Sequence, residues 1–232
     1  MPSRVLTTFL LVQIVSARCL RCALTCFNAS TSTDLIGRLI PGMVLLGRYP
    51  ALCPSDSESQ REEASQRVRE IIDRAGVTDF VCLQEEIPPQ DKTSEWRSFP
   101  AIKKAPKASP RAEVAGFSSY QADAISASTE ALHIRASGDP TQPLQPPYFL
   151  HFPIPDLSPA NSLTELAALV DEIQDRVTSG RVIYIHCWGG RGRTGLAAAC
   201  LLGALYGEET SLDAEEALTR VDTYFRLRSG TG

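Results

Sequence analysis

Ten consecutive residues carry the strongest chemical signal in the chain: His186-Cys187-Trp188-Gly189-Gly190-Arg191-Gly192-Arg193-Thr194-Gly195. Three glycines between a β-branched run and an apolar run predict a tight turn joining a strand to a helix. Successive backbone N–H groups and the positive end of the helix dipole then converge on one point. Such a turn cradles an anion, and phosphate is its natural guest. A cysteine at its head has its thiolate favoured by the same amides and by the Arg193 guanidinium, because hydrogen bonds to the ionised form and an opposite charge both stabilise it. The pattern predicts a sulfur nucleophile facing a bound phosphate.

The flanking sequence must hold that turn rigidly. Arg181 to His186 is rich in β-branched residues and predicts a strand, and Gly195 to Tyr206 is an apolar helix that Gly207 is placed to stop. Turn signals at Pro41-Gly42 and Tyr49-Pro50 bracket Met43 to Arg48 as a short buried strand, where the folded domain is expected to start. Between Ser57 and Ala75, the spacing of Ala64, Val68, Ile71 and Ile72 predicts a helix ended by Gly76, and Val77 to Leu83 reads as the next strand. Tyr148 to Phe152 is a strand that Pro153 should end. Ser162-Leu-Thr-Glu165 forms a capping box for a helix whose Leu163, Leu166, Leu169, Val170, Ile173 and Val177 share one side, closed at Gly180. Thr210 or Ser211 is placed to cap a last helix running to about Leu227. Strands alternating with helices predict an α/β fold, a single domain with a central, mostly parallel sheet flanked by helices.

The expected organisation is an extension over residues 1–38 and a domain over 39–232, with an irregular insertion at about 88–147. From Ile87 to Pro147 the chain holds nine of its sixteen prolines and little periodicity. A structureless stretch of that length is improbable inside a compact domain, so local helix is expected, with Ser119 to Leu132 the best candidate. Trp96, Phe99, Phe117 and Tyr120 are expected to pin the insertion to the body, packing being a commoner fate for such residues than lining a cleft.

Composition narrows the function classes. With 232 residues, 43% hydrophobic and 22% charged, the chain is an ordinary globular one, and its net charge of −4 argues against coating nucleic acid or anionic membrane by bulk electrostatics. The seven cysteines are odd in number and scattered, which favours a reducing compartment such as the cytoplasm over a disulfide framework. Cys19-x2-Cys22-x3-Cys26 lacks a fourth ligand at matched spacing, so metal binding is not expected there. Before Asp34 there is no acidic residue, and an apolar stretch from Val5 to Ala17 is too short to span a membrane. That segment suits a secretory leader cut after Val15-Ser16-Ala17, a plastid or mitochondrial transit peptide, or an element covering the edge of the domain.

The Cys-x5-Arg loop, preceded by His and followed by Thr-Gly, resembles the signature of the protein tyrosine phosphatase superfamily, and the short domain is similar to its atypical dual-specificity branch. Together with Cys-Leu-Gln-Glu-Glu-Ile-Pro-Pro (82–89) and Phe-Pro-Ile-Pro-Asp (152–156), the loop resembles plant and algal members over roughly Leu39 to Leu227. The resemblance implies that Cys187 attacks phosphorus to form a phosphocysteine and that Arg193 grips two oxygens bidentately. The amides of Trp188, Gly189, Gly190, Arg191, Gly192 and Arg193 would hold the rest of the phosphate. It further implies that Thr194 hydrogen-bonds the sulfur and that His186 points away from substrate and orders the loop. A mobile loop would supply an aspartic acid to protonate the leaving oxygen. Asp156 fits that role, 31 residues before Cys187 (187 − 156) and at the end of a strand, with Asp139 a distant second. Such relatives continue past the last helix with a Ser-Pro-Glu-Thr-like segment and another helix, whereas this sequence stops at Arg228-Ser-Gly-Thr-Gly232.

The expected activity is hydrolysis of phosphotyrosine, phosphoserine or phosphothreonine in proteins, with no cofactor or metal required. Arg191 adds a second guanidinium to the loop, which motivates the alternative of a phosphoinositide, inositol phosphate or RNA 5′-phosphate substrate. Trp188 either walls the pocket or packs beneath it. A phosphate-binding protein without turnover is the non-enzymatic alternative, and rhodanese-like sulfur transfer fits the Gly-Arg-Thr-Gly ending less well.

Overall fold

The computed structural model describes residues 36–40, 42–53, 56–86, 97–98, 117–136, 147–210 and 212–228. Cys19, Cys22, Cys26, Trp96, Phe99 and Asp139 lie outside the described residues, as does most of the expected insertion.

Among the described residues, six strands form one sheet: β1 (Ile36–Ile40), β2 (Val44–Gly47), β3 (Asp79–Gln84), β4 (Arg97–Ser98), β5 (Tyr148–Ile154) and β6 (Ile183–His186). Their order is β1-β2-β6-β3-β5-β4, with β1 antiparallel to β2 at one edge and every other pairing parallel. The fold is the expected α/β arrangement. Strands β2, β3 and β6 are buried at every position, as a parallel sheet covered on both faces requires.

Alternation along the strands divides the core into two layers. Val44, Leu46, Val81, Leu83, Ile183 and Ile185 face α3 (Leu163–Thr178), α4 (Gly192–Thr210) and α5 (Ala214–Arg228), while Leu45, Phe80, Cys82 and Tyr184 face the opposite layer. That second layer is built by α1 (Arg61–Asp73), through Val68, Ile71 and Ile72, and α2 (Gln121–Ala136), through Ala124 and Ala127. No helix among the described residues is long and apolar enough to cross a membrane.

Several expectations need correction. β5 runs through Pro153 to Ile154 rather than stopping at Phe152, because the β3–β5 register slips between Cys82↔His151 and Gln84↔Ile154. Two residues of β5, Phe152 and Pro153, there oppose one of β3, Leu83, a bulge that tolerates a residue without an N–H. α4 starts at Gly192, not Gly195, and continues past Gly207, whose cost inside a helix is only about 1 kcal/mol. The last helix is capped by Asp213, whose carboxylate accepts the Glu216 N–H at 2.8 Å, rather than by Thr210 or Ser211. Leu163 is 79% exposed despite its helical spacing. As the first residue of α3, its side chain leans back beyond the turn that packs on the sheet. Strands β1 and β4 have no counterpart in the sequence reading.

The parallel register brings the carboxyl ends of four strands to one edge, with Gly47 beside His186, Cys82 beside His186 and Gln84 beside Ile154. Loops leaving that edge form a crevice, the usual place for chemistry in an open α/β sheet.

Candidate active site

Cys187 sits at the carboxyl end of β6, 3% exposed, on the floor of a cavity of about 590 Å³. Asp156, Leu157, Trp188, Arg191, Arg193 and Leu196 are among its walls. The loop from Cys187 to Arg191 enters α4 at Gly192, so Arg193 and Thr194 occupy the first helical turn, where backbone N–H groups are free of intrahelical acceptors.

Close packing shapes this loop. Gly190 has φ +72°, and a Cβ on it would lie 2.4 Å from the backbone carbonyl of Gly47. Gly47 itself needs its missing side chain, because a Cβ there would overlap the ring of Tyr184. The Tyr184 hydroxyl donates to the Arg48 carbonyl at 2.7 Å, and the Tyr49 N–H donates to the Trp188 carbonyl at 2.9 Å, tying the end of β2 to the loop. Gly189 and Gly192 have open space where a Cβ would be.

Arg193 is held from two sides. Its Nη1 donates to Glu86 Oε2 at 2.7 Å and to the Ile154 carbonyl at 3.2 Å, and its Nη2 lies 3.2 Å from Asp156 Oδ1. Burial opposes the charge, but the hydrogen bond and charge of Glu86 outweigh it and hold the guanidinium above its ordinary pKa. Glu86 is buried beside it, and its Oε1 has no hydrogen-bond partner. Sequence reasoning missed Glu86, although it lies in the quoted 82–89 stretch: nothing local says which of Glu85 and Glu86 turns inward.

The other predicted residues fall as follows. Asp156 reaches the cavity, joined to Arg193. Trp188 walls the cavity and also packs edge-on against Phe117, with ring centroids 5.1 Å apart. The Arg191 guanidinium lies 5.7 Å from the centroid of the Phe225 ring, and its residue borders the cavity. Thr194 is buried, but its hydroxyl has no hydrogen-bond partner, so the expected bond to the sulfur is not formed here. His186 is buried behind the loop, where its Nε2 shares a 2.7 Å hydrogen bond with the Tyr120 hydroxyl. Tyr120 precedes α2, so the insertion reaches His186, the residue next to Cys187. Its ring was expected to pin the insertion, but nothing in the sequence pointed to His186 as its partner.

Two histidines at this edge make stability pH-dependent. Burial pushes His186 down to about 3 and His151 down to about 4, the latter donating from Nε2 to the Gln84 carbonyl at 2.7 Å. Both rings are neutral in the fold and take up protons near pH 6.5 when unfolded. Their contribution is therefore complete above pH 6.5 and is lost as pH falls towards 4. At pH 5.5, before most carboxylates titrate, each histidine is expected to cost about 1 kcal/mol relative to pH 7.5. Urea midpoints at the two pH values check this, and equal stability would contradict it.

Residues 142–229, from just before β5 through α5, match the family model described as "PTP-SAK: Swiss Army Knife protein, DSP-PTPase phosphatase domain". That match supports a cysteine phosphatase of the tyrosine and dual-specificity type, without resolving its substrate. No curated protein matches the chain. Among solved structures, "Tk-PTP in the active form" is similar at 17% identity and a TM-score of 0.43, over 86% of this chain and 97% of that one. PTPMT1 in complex with PI(5)P is similar at 12% identity and 0.45, over 85% and 97%. Human DUSP28 is similar at 15% identity and 0.40, over 88% and 96%.

Proposed function

We propose that this protein is an atypical dual-specificity-like phosphatase that hydrolyses phosphotyrosine, phosphoserine or phosphothreonine in proteins through a phosphocysteine intermediate. The observation that carries the reading is the convergence of Cys187, Arg193 and Asp156 on one cavity at the carboxyl edge of a parallel sheet. Phosphate sits in the loop with Arg193 on two of its oxygens and the loop amides on the others. The Cys187 sulfur attacks phosphorus, the bond to the leaving oxygen breaks, and Asp156 gives that oxygen its proton. Water then attacks the phosphocysteine, Asp156 takes a proton from it, and the S–P bond breaks to release inorganic phosphate. The Thr194 hydroxyl, buried in the first turn of α4, is available to stabilise the departing sulfur.

The assignment of Asp156 has a selective test. Replacing it by alanine is expected to lower kcat/KM about a hundredfold for alkyl phosphates, whose leaving oxygen needs a proton, and only a few-fold for activated aryl phosphates. Equal slowing of both would contradict the role. Arg191 supports one second reading, a polyanionic substrate such as an inositol phosphate, because the residue borders the cavity and carries a second guanidinium into this loop. Phosphopeptides are expected to be turned over in preference to soluble inositol phosphates. The opposite preference, abolished by Arg191→Ala, would establish the second reading instead.

A further inference from the structure

Directly after Asp156 the chain does something locally unfavourable. The Ser158 N–H donates to the Pro155 carbonyl at 3.2 Å, closing a four-residue turn with Asp156 and Leu157 at its centre. Leu157 has φ +56°, the one positive value among the described non-glycine residues. That position of such a turn favours glycine or asparagine, because a Cβ crowds the backbone there. The residue present is instead a leucine that is 91% exposed, the most exposed large apolar residue in the described chain. Backbone and solvation both work against it, and it gains no compensating burial within the molecule. Its place gives it a use: it borders the cavity beside Asp156, with Trp188 and Leu196 as further apolar walls. Leu163 is also exposed, but it is not among the cavity-lining residues.

We infer that Leu157 is a specificity-determining residue, which covers the apolar face of an aromatic group attached to the phosphate bound over Cys187. This rests on the phosphatase reading of the same site and adds to it a residue that selects aryl over small alkyl phosphomonoesters. Leu157 takes no part in the bond changes. Its side chain closes over the ring and removes apolar surface of both from water, so its effect scales with the apolar area of the leaving group.

Leu157→Asn is the informative variant. Asparagine accepts the left-handed backbone, so the turn that carries Asp156 is kept while the apolar cover is lost. Its thermal midpoint is expected to equal or exceed that of the parent, which separates the effect from misfolding. Binding of phenylphosphonate and methylphosphonate, followed by calorimetry, reads the proposal without turnover. Leu157→Asn should weaken phenylphosphonate about tenfold and leave methylphosphonate within twofold, and Leu157→Met should restore the aryl preference. In turnover, kcat/KM for an aryl phosphate should fall by a similar factor while that for glycerol 3-phosphate stays within twofold. Equal weakening of both phosphonates, or of neither, would overturn the role of Leu157 and leave the phosphatase reading standing. Selective weakening by a protein that hydrolyses no phosphomonoester would support Leu157 and sink that reading instead. Failure of the parent protein to bind either phosphonate would overturn both.

Discussion

Replacing Cys187 by serine is expected to abolish hydrolysis of an aryl phosphate, by at least about ten-thousand-fold, while leaving affinity for inorganic phosphate within a few-fold. The change exchanges one sulfur for a smaller oxygen that is far harder to ionise, and it leaves the cradle untouched. Gly190 still fits against Gly47, the Trp188 carbonyl still accepts from Tyr49, and Arg193 keeps Glu86. None of the other described cysteines can substitute at neutral pH. Burial pushes the Cys82 thiol up to about 12 and that of Cys53 up to about 11, and it raises Cys200 as well. Steady-state turnover of 4-nitrophenyl phosphate, with phosphate as a competitive inhibitor, reads both halves. Undiminished turnover would end the assignment of Cys187.

Arg193 is expected to show the next largest loss, and two substitutions there separate its chemistry from its structural partnership. Arg193→Lys keeps a positive charge opposite Glu86 but loses the planar fork that grips two phosphate oxygens, so kcat/KM should fall about a thousandfold with the fold intact. Arg193→Ala removes the charge too and leaves Glu86 as an uncompensated buried carboxylate, a loss of about 3–5 kcal/mol in stability. The expected result is therefore two inactive proteins with different urea midpoints. A lysine variant retaining near-parental turnover would contradict a bidentate role, and an alanine variant of parental stability would contradict the importance of the Glu86 pair.

The loop from His186 to Thr194 was legible because the sequence pattern that marks it is local. A β-branched run, three glycines, a cysteine and an arginine six residues later mark a strand, a tight turn, a following helix and a local charge, although the helix starts three residues earlier than the apolar run suggests. Helices α1 and α3 were legible for a similar reason: Ala64, Val68, Ile71 and Ile72, and Leu166 to Val177, bury the stripe their spacing defines. What escaped depends on distant partners. Glu86 meets Arg193 across 107 residues of sequence, and only the parallel register of β3 beside β6 makes that contact. Pro153 reads as a strand terminator until a bulge opposite β3 absorbs it. Among the described residues, strand β1 pairs with β2 alone, at a sheet edge, and its few residues carry no strong pattern of their own. Leu157 drew no notice in the sequence, because nothing in a leucine's identity signals a left-handed backbone conformation, and its exposure is a property of the folded surface.

The most direct test is capture of the intermediate. Protein mixed with an aryl phosphate and quenched in acid within the first turnover is expected to carry one phosphoryl group, and peptide mass spectrometry should place it on Cys187. Asp156→Ala, with an activated aryl substrate, should raise its occupancy by slowing attack of water, and Cys187→Ser should remove it. Steady hydrolysis with no phosphoryl group on residue 187 in any of these proteins, or with the group on another side chain, would contradict the account.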